Sequence, residues 1–155
     1  MRCVVIDANL LLFLIVGKAN VGFIEKYGRL SKYKKAHFDY LNSFLGQFEK
    51  YIVTPHSLTE TWNLIGERRR GIDDDYDKVF MSAKHFVMNV LEVYHPSNQL
   101  LGNPKIAWLG LSDVAQIEAA VANEAVLVSS DGLLCYEARM QNVTAINFWQ
   151  ETEGL

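Results

Sequence analysis

The chain predicts a single α/β domain with a central parallel sheet and helices on both faces. Three observations carry that reading. Short, continuously apolar runs rich in β-branched residues recur at 2–7, 51–54, 125–128 and 144–148, as expected of strands buried on both faces. Stretches with apolar residues at helical spacing separate them, and strands joined through helices pair in parallel. Carboxylates stand at the ends of two of the runs: Asp7 closes the first, and Asp131 follows the third after two serines. A charge placed there serves the edge of a sheet, because burying it unpaired is expensive.

Each element has its own signal. Residues 8–16 are apolar throughout and predict a buried helix. Several glycines and a basic cluster make 17–35 a loop or broken helix. Phe38, Leu41, Phe44, Leu45 and Phe48 predict an amphipathic helix over 36–50. Thr54-Pro55 reads as an N-cap followed by proline at the first helical position. The stripe Leu58, Trp62, Ile65 continues that helix until Arg68-Arg69-Arg70-Gly71. Asp73-Asp74-Asp75 opens the next helix at the favourable end of its dipole, with Val79, Phe80, Ala83, Phe86, Val87, Val90 and Leu91 in period. Residues 95–108 hold two prolines and read as irregular. Ser112 is the expected cap of a helix carrying Val114, Ile117 and Val121, a short helix covers 132–140, and the tail is polar.

Composition narrows the function classes. At 155 residues, half apolar and with 21% charged residues, the chain is an ordinary globular domain with room for a core. A net charge of −3 gives no global attraction to nucleic acid, so such binding needs a local basic patch. Cys3 and Cys135 make neither a disulfide framework nor a clustered zinc site, and cytoplasmic residence is the default. The apolar N-terminal stretch is interrupted by Asp7 and Asn9, and 10–16 is too short to span a bilayer; no targeting segment and no membrane partner are expected. The histidines His37, His56, His85 and His95 are scattered without zinc-protease spacing, and no glycine-rich phosphate loop is present. Asp-x-Asn at Asp7–Asn9 departs from the Asp-x-Asp of haloacid-dehalogenase-type phosphatases.

Four acids are candidates for chemistry: Asp7, Glu60, Asp113 and Asp131. If the fold gathers them, their mutual repulsion calls for a cation. Each also has a plainer reading. Asp7 suits a helix cap, and Asp113 beside Ser112 suits a helix dipole. Asp131 before Gly132 suits a turn. Glu60 closes a Ser57-x-x-Glu60 capping box that competes with Thr54-Pro55 as the helix start.

The acids and their contexts resemble a known family. Asp7-Ala8-Asn9 follows the first strand, Glu60 lies in Ser-Leu-Thr-Glu-Thr-Trp-Asn-Leu, and Asp113 in Leu-Ser-Asp-Val-Ala-Gln-Ile-Glu-Ala-Ala. Asp131 lies in Leu-Val-Ser-Ser-Asp-Gly-Leu-Leu, and the chain closes with Val-Thr-Ala-Ile-Asn-Phe at 143–148. This order resembles the PIN domain and, within it, VapC-like ribonuclease toxins, most specifically in the C-terminal half. The lengths of 17–50 and 71–108 depart from a compact toxin. The resemblance implies an endoribonuclease that holds Mg²⁺ or Mn²⁺ on Asp7, Glu60, Asp113 and Asp131, with Asn9 and Ser129 orienting the aspartates. It further implies an RNA substrate, an antitoxin protein partner and, by analogy of fold, a homodimer. A PIN nuclease of RNA maturation and a non-catalytic RNA- or protein-binding module are the competing readings.

RNA contact has two candidate patches, Arg68, Arg69 and Arg70 at a helix end, and Lys32, Lys34 and Lys35. Tyr27, Tyr33 and Tyr40 flank the lysines and are candidates for stacking on unpaired bases. The plainer reading of each run is a solvated surface. The acids Asp73, Asp74, Asp75 and Asp77 lack the glycine and terminal glutamate of a calcium loop and read as a helix start.

Overall fold

A computed structural model describes residues 2–67 and 74–155. Arg68, Arg69 and Arg70 lie outside the described residues. Strand β1 (Cys3–Ile6) leads into helix α1 (Ala8–Ala19), then two 3-10 turns (Val21–Lys26 and Gly28–Leu30) and α2 (Lys35–Leu45). Strand β2 (Lys50–Val53) feeds α3 (Pro55–Gly66), and α4 (Asp74–Val87) leads to β3 (Leu91–Glu92). Short helices α5 (Ser97–Leu100) and α6 (Ile106–Leu109) precede α7 (Leu111–Ala122). The chain closes with β4 (Val126–Ser129), α8 (Gly132–Met140), β5 (Ala145–Asn147) and α9 (Phe148–Glu151).

The sheet is parallel throughout, in the order β3-β2-β1-β4-β5. Central β1 pairs through Val5 with Ile52 on one side and Leu127 on the other. Alternation splits its side chains between two cores. Val4 and Ile6 join a cluster with α1, α2 and Phe148, whereas Val5 joins Ile117, Leu134 and Ala138 of α7 and α8. Both faces of the sheet are therefore dry, as the continuous apolar runs require.

Helix α1 is the buried centre of the larger cluster. Every residue from Leu10 to Gly17 is shielded from solvent, so it needs no polar face. It runs three residues past the expected stop at 16, ending on Lys18 and Ala19. Gly17 is there for space: a Cβ built on it meets the Phe38 ring at 2.3 Å.

Four local expectations are corrected. The helix predicted to run through Leu91 ends at Val87, and Leu91–Glu92 pairs with Ile52 and Val53 as a fifth strand. The helix predicted over 36–50 ends at Leu45, and Phe48 is buried in the following turn under the Arg2 guanidinium. Ser112 is not a cap. Helix α7 starts at Leu111 after Gly110, whose φ of 85° suits glycine, and the buried Ser112 hydroxyl has no hydrogen-bond partner among the described residues. The irregular 95–108 stretch contains two single-turn helices, and the tail a third at Phe148–Glu151.

Candidate functional site

The strand order reverses at β1 and β4: the chain moves outward from β1 through β2 to β3, then returns to place β4 on β1's other side. Crevices beyond the carboxyl ends of strands at such a reversal are where open parallel sheets bind ligands. Asp7 leaves β1 and Asp131 follows β4 at this point, and the Asp7 amide donates to the Val128 carbonyl at 3.2 Å.

Asp7 is buried and fully engaged. One carboxylate oxygen caps α1, accepting from the Leu10 amide at 2.8 Å. The other accepts from the Ser129 hydroxyl and from the Ser130 amide at 3.0 Å. Capping and cluster membership are thus one arrangement, not alternatives. Burial raises its pKa against the pull of those hydrogen bonds, and the Asp131 charge adds to the rise. Ser129 joins the two aspartates, since its hydroxyl also accepts from the Asp131 amide at 2.9 Å. Asp131 in turn caps α8, accepting from the Leu133 and Leu134 amides at 2.9 and 3.3 Å.

Asp113 is half-buried in the first turn of α7. Its carboxyl is pushed up to about 6, first by burial and then by the charges of Asp131, Asp7 and Glu60. The charges of the other three acids thus all reach Asp113. Glu60 belongs there as well. Helix α3 is capped by Thr54, whose hydroxyl accepts from the Ser57 amide at 3.2 Å, and Ser57 is buried inside the helix. The capping box that competed for Glu60 does not form, and Glu60 lines a cleft against Leu111 and Ser112 of α7. Asn9, in the first turn of α1, has no hydrogen bond to the four acids among the described residues.

The donor set consists of hard oxygens, the kind Mg²⁺ and Mn²⁺ select. Among the described residues no three ligating side chains are gathered closely enough to form a ligand set by themselves. The nearby Cys135 thiol is pushed up to about 11, chiefly by burial, and stays protonated. A hollow of about 510 Å³ at the opposite, amino edge of the sheet, lined by Ala120, Glu124, Asn142 and Thr144, has no comparable cluster of acids.

Tyr33, a candidate for base stacking whose plainer reading is an ordinary core aromatic, takes the plainer role. Its ring is packed between Phe13 and Trp149, with centroids at 4.3 and 4.7 Å, and beside Phe148. Burial and the Asp7 charge push its hydroxyl up to about 12, while the Ser130 hydroxyl beside it opposes the rise. It braces the loop carrying Ser129 and Asp131 and is not a free stacking platform. Tyr27 is likewise buried. Lys32, Lys34 and Lys35 are exposed; Lys34 reaches the Leu155 carbonyl at 3.3 Å, and Lys35 pairs with Asp39 at 2.7 Å.

No family model and no curated protein matches the chain. Solved structures do resemble it. The crystal structure of PAE2754 from Pyrobaculum aerophilum superposes with a TM-score of 0.58 at 16% identity, over 93% of this chain and 89% of that one. A domain of a functionally unknown protein from Methanocaldococcus jannaschii DSM 2661 gives a TM-score of 0.47 at 13% identity, over 94% and 90%. At such identity the likeness to the Pyrobaculum protein establishes a shared fold. No helix is long and apolar enough to cross a membrane among the described residues.

Proposed function

We propose that this protein is a metal-dependent endoribonuclease that cleaves RNA phosphodiester bonds, acting as the toxin of a toxin–antitoxin pair. The observation that supports the proposal is that Asp113, pushed up to about 6 first by burial, also feels the charges of Asp131, Asp7 and Glu60 at the same edge of the sheet. The order and contexts of these acids, which resemble the PIN domain, supply the reaction class.

Asp7, Asp113, Asp131 and Glu60 would hold Mg²⁺ or Mn²⁺. When bound, the ion supplies charge neutralisation at the scissile phosphate and a lowered pKa for water. The protein's own residues do the positioning. Ser129 and the Ser130 amide fix the orientation of Asp7, and the Ser129 hydroxyl ties Asp131 to the same loop. Burial and the neighbouring acids raise both Asp7 and Asp113, and a cation held there would favour their charged forms. Lys32 and Lys34 would meet the phosphate backbone entering over the Tyr33 side.

Cleavage of single-stranded RNA should require Mg²⁺ or Mn²⁺ and fall at least a hundredfold in Asp7→Asn and in Asp113→Asn, each assayed by gel with end-labelled substrate. Undiminished cleavage in EDTA would overturn the proposal. The toxin assignment has its own check: a small protein encoded next to this one should co-purify with it and suppress cleavage. An active nuclease without such a partner would instead belong to RNA maturation.

A further inference from the structure

Helix α1 meets the acid cluster at its amino end, through its cap Asp7, and a separate cavity along its carboxyl half. The cavity holds about 200 Å³ and lies among α1, α2, β2 and α4. Leu14 and Ile15 of α1, Leu45 of α2, Tyr51 of β2 and Phe86 of α4 line it. Ile15 follows Asp7 by eight residues, about 12 Å along a helix, so the two sites are distinct.

The polar groups on its wall are already engaged. The Ser82 hydroxyl donates to the Ile15 carbonyl at 2.7 Å, and the Tyr51 hydroxyl donates to the Leu45 carbonyl at 3.0 Å. Leu14, Ile15 and Leu45 are buried, and the Tyr51 and Phe86 rings lie 21° from parallel with centroids at 6.4 Å. What remains is an apolar interior, from which the release of water is favourable. The exposed residues of the lining are Lys18, Asn42 and His85. No acid lines the cavity, and the Lys18 ammonium has no ion pair among the described residues. Apolar walls supply affinity in such sites and a few polar groups fix orientation, so this pair of features selects an amphiphile with a negative head.

We propose that this cavity binds a small amphiphilic carboxylate, with its apolar body against Leu14, Ile15, Leu45 and Phe86 and its carboxylate at Lys18. An apolar protein cavity of about 150 Å³ holds a benzene ring. The additional volume here leaves room for a ring with one short arm, the size and polarity of an arylalkanoate. The site owes nothing to the acid cluster and stands whether or not the chain cuts RNA.

Isothermal titration calorimetry of the full chain with 3-phenylpropionate tests this, with 3-phenylpropanamide as the neutral counterpart and acetate as the head alone. The arylalkanoate should bind one to one and acetate should not bind. The amide should bind about three- to fivefold more weakly, the range that an exposed ion pair supplies. Lys18→Met should weaken the arylalkanoate by the same factor and leave the amide unchanged. Asn42→Trp, at an exposed position of the lining, should block both ligands, with circular dichroism showing the fold retained. Lys18 is exposed as well, so its variant still decides the matter where the tryptophan disturbs folding. No saturable binding of 3-phenylpropionate, equal affinity for acid and amide, or binding unmoved by both variants would overturn the assignment. If sedimentation shows the wild-type chain self-associating and Asn42→Trp abolishes it, the cavity seats a second copy and the small-ligand assignment falls.

Discussion

Asp113 has no hydrogen-bond partner among the described residues and faces three other acids. Its charge is tolerated but not stabilised. The folded protein holds a proton there up to about pH 6, whereas in the unfolded chain the group ionises near pH 4. Because the folded state binds more protons in this window, the contribution of Asp113 to stability is lost as pH rises from about 4 to about 6 and stays lost above it. After allowance for solvent reaching a half-buried group, the penalty at neutral pH is about 1 kcal/mol. Asp113→Asn should therefore be more stable than the wild type by about 1 kcal/mol in EDTA at pH 7.5, with most of the advantage gone by about pH 4; urea titrations at the two pH values decide it. Ser129 is the opposite case, a small neutral group that both aspartates use. Ser129→Ala leaves an oxygen of buried Asp7 with only the Ser130 amide and should cost about 1–3 kcal/mol. It should also weaken Mn²⁺ binding at least about tenfold, as loss of an orienting partner does; calorimetric titration of the two proteins with Mn²⁺ measures this.

At the scale of elements, the close approach of α1 and α2 rests on Gly17. An alanine there drives a methyl group into the Phe38 ring, which is itself held edge-on by Phe13 at 5.9 Å. Gly17→Ala should destabilise by about 1–3 kcal/mol through overpacking, despite alanine's better helix propensity, and paired Gly17→Ala/Phe38→Leu should recover part of the loss in thermal melts. These contacts also show what sequence reasoning reaches. Strands β1, β2, β4 and β5 were legible because each is a short apolar run whose pattern suffices. Strand β3 was not, because Leu91 continues the helical period of α4 and both of its residues are exposed; only pairing with β2 makes it a strand. Thr54-Pro55 was legible as a helix start, and it settles that Ser57 is a buried helical residue rather than a cap. Ser112 misled for the converse reason. Serine outranks glycine as a cap in general, but Gly110 alone can take the backbone turn that starts α7. The pairing of Ser129 with the aspartates was expected from the family resemblance, which named Asn9 for the same role. The bracing by Tyr33 was not, since nothing local to a tyrosine between lysines reveals that its hydroxyl meets a loop almost a hundred residues later.

At the scale of the molecule, the reversal of strand order turns distant acids into one site. Asp7 and Asp131 lie at opposite ends of the chain, and only the placement of β4 against β1 makes them neighbours through Ser129. The sheet thus stores electrostatic repulsion at one edge, offset by burial of both its faces. A cation that binds this edge relieves the repulsion only in the folded state, so it should stabilise the whole domain by mass action. At a hundredfold excess over its dissociation constant, Mn²⁺ should add about 2.7 kcal/mol, which for a domain of this size raises the melting temperature by about 5–10 °C. Asp7→Asn and Asp131→Asn should lose most of that rise while keeping the fold, as circular dichroism would report. Differential scanning calorimetry across Mn²⁺ and Mg²⁺ concentrations makes the comparison. A melting temperature indifferent to both ions in the wild-type protein would mean that the convergent acids do not serve a metal, and the role of a binding module without catalysis would take the place of the nuclease.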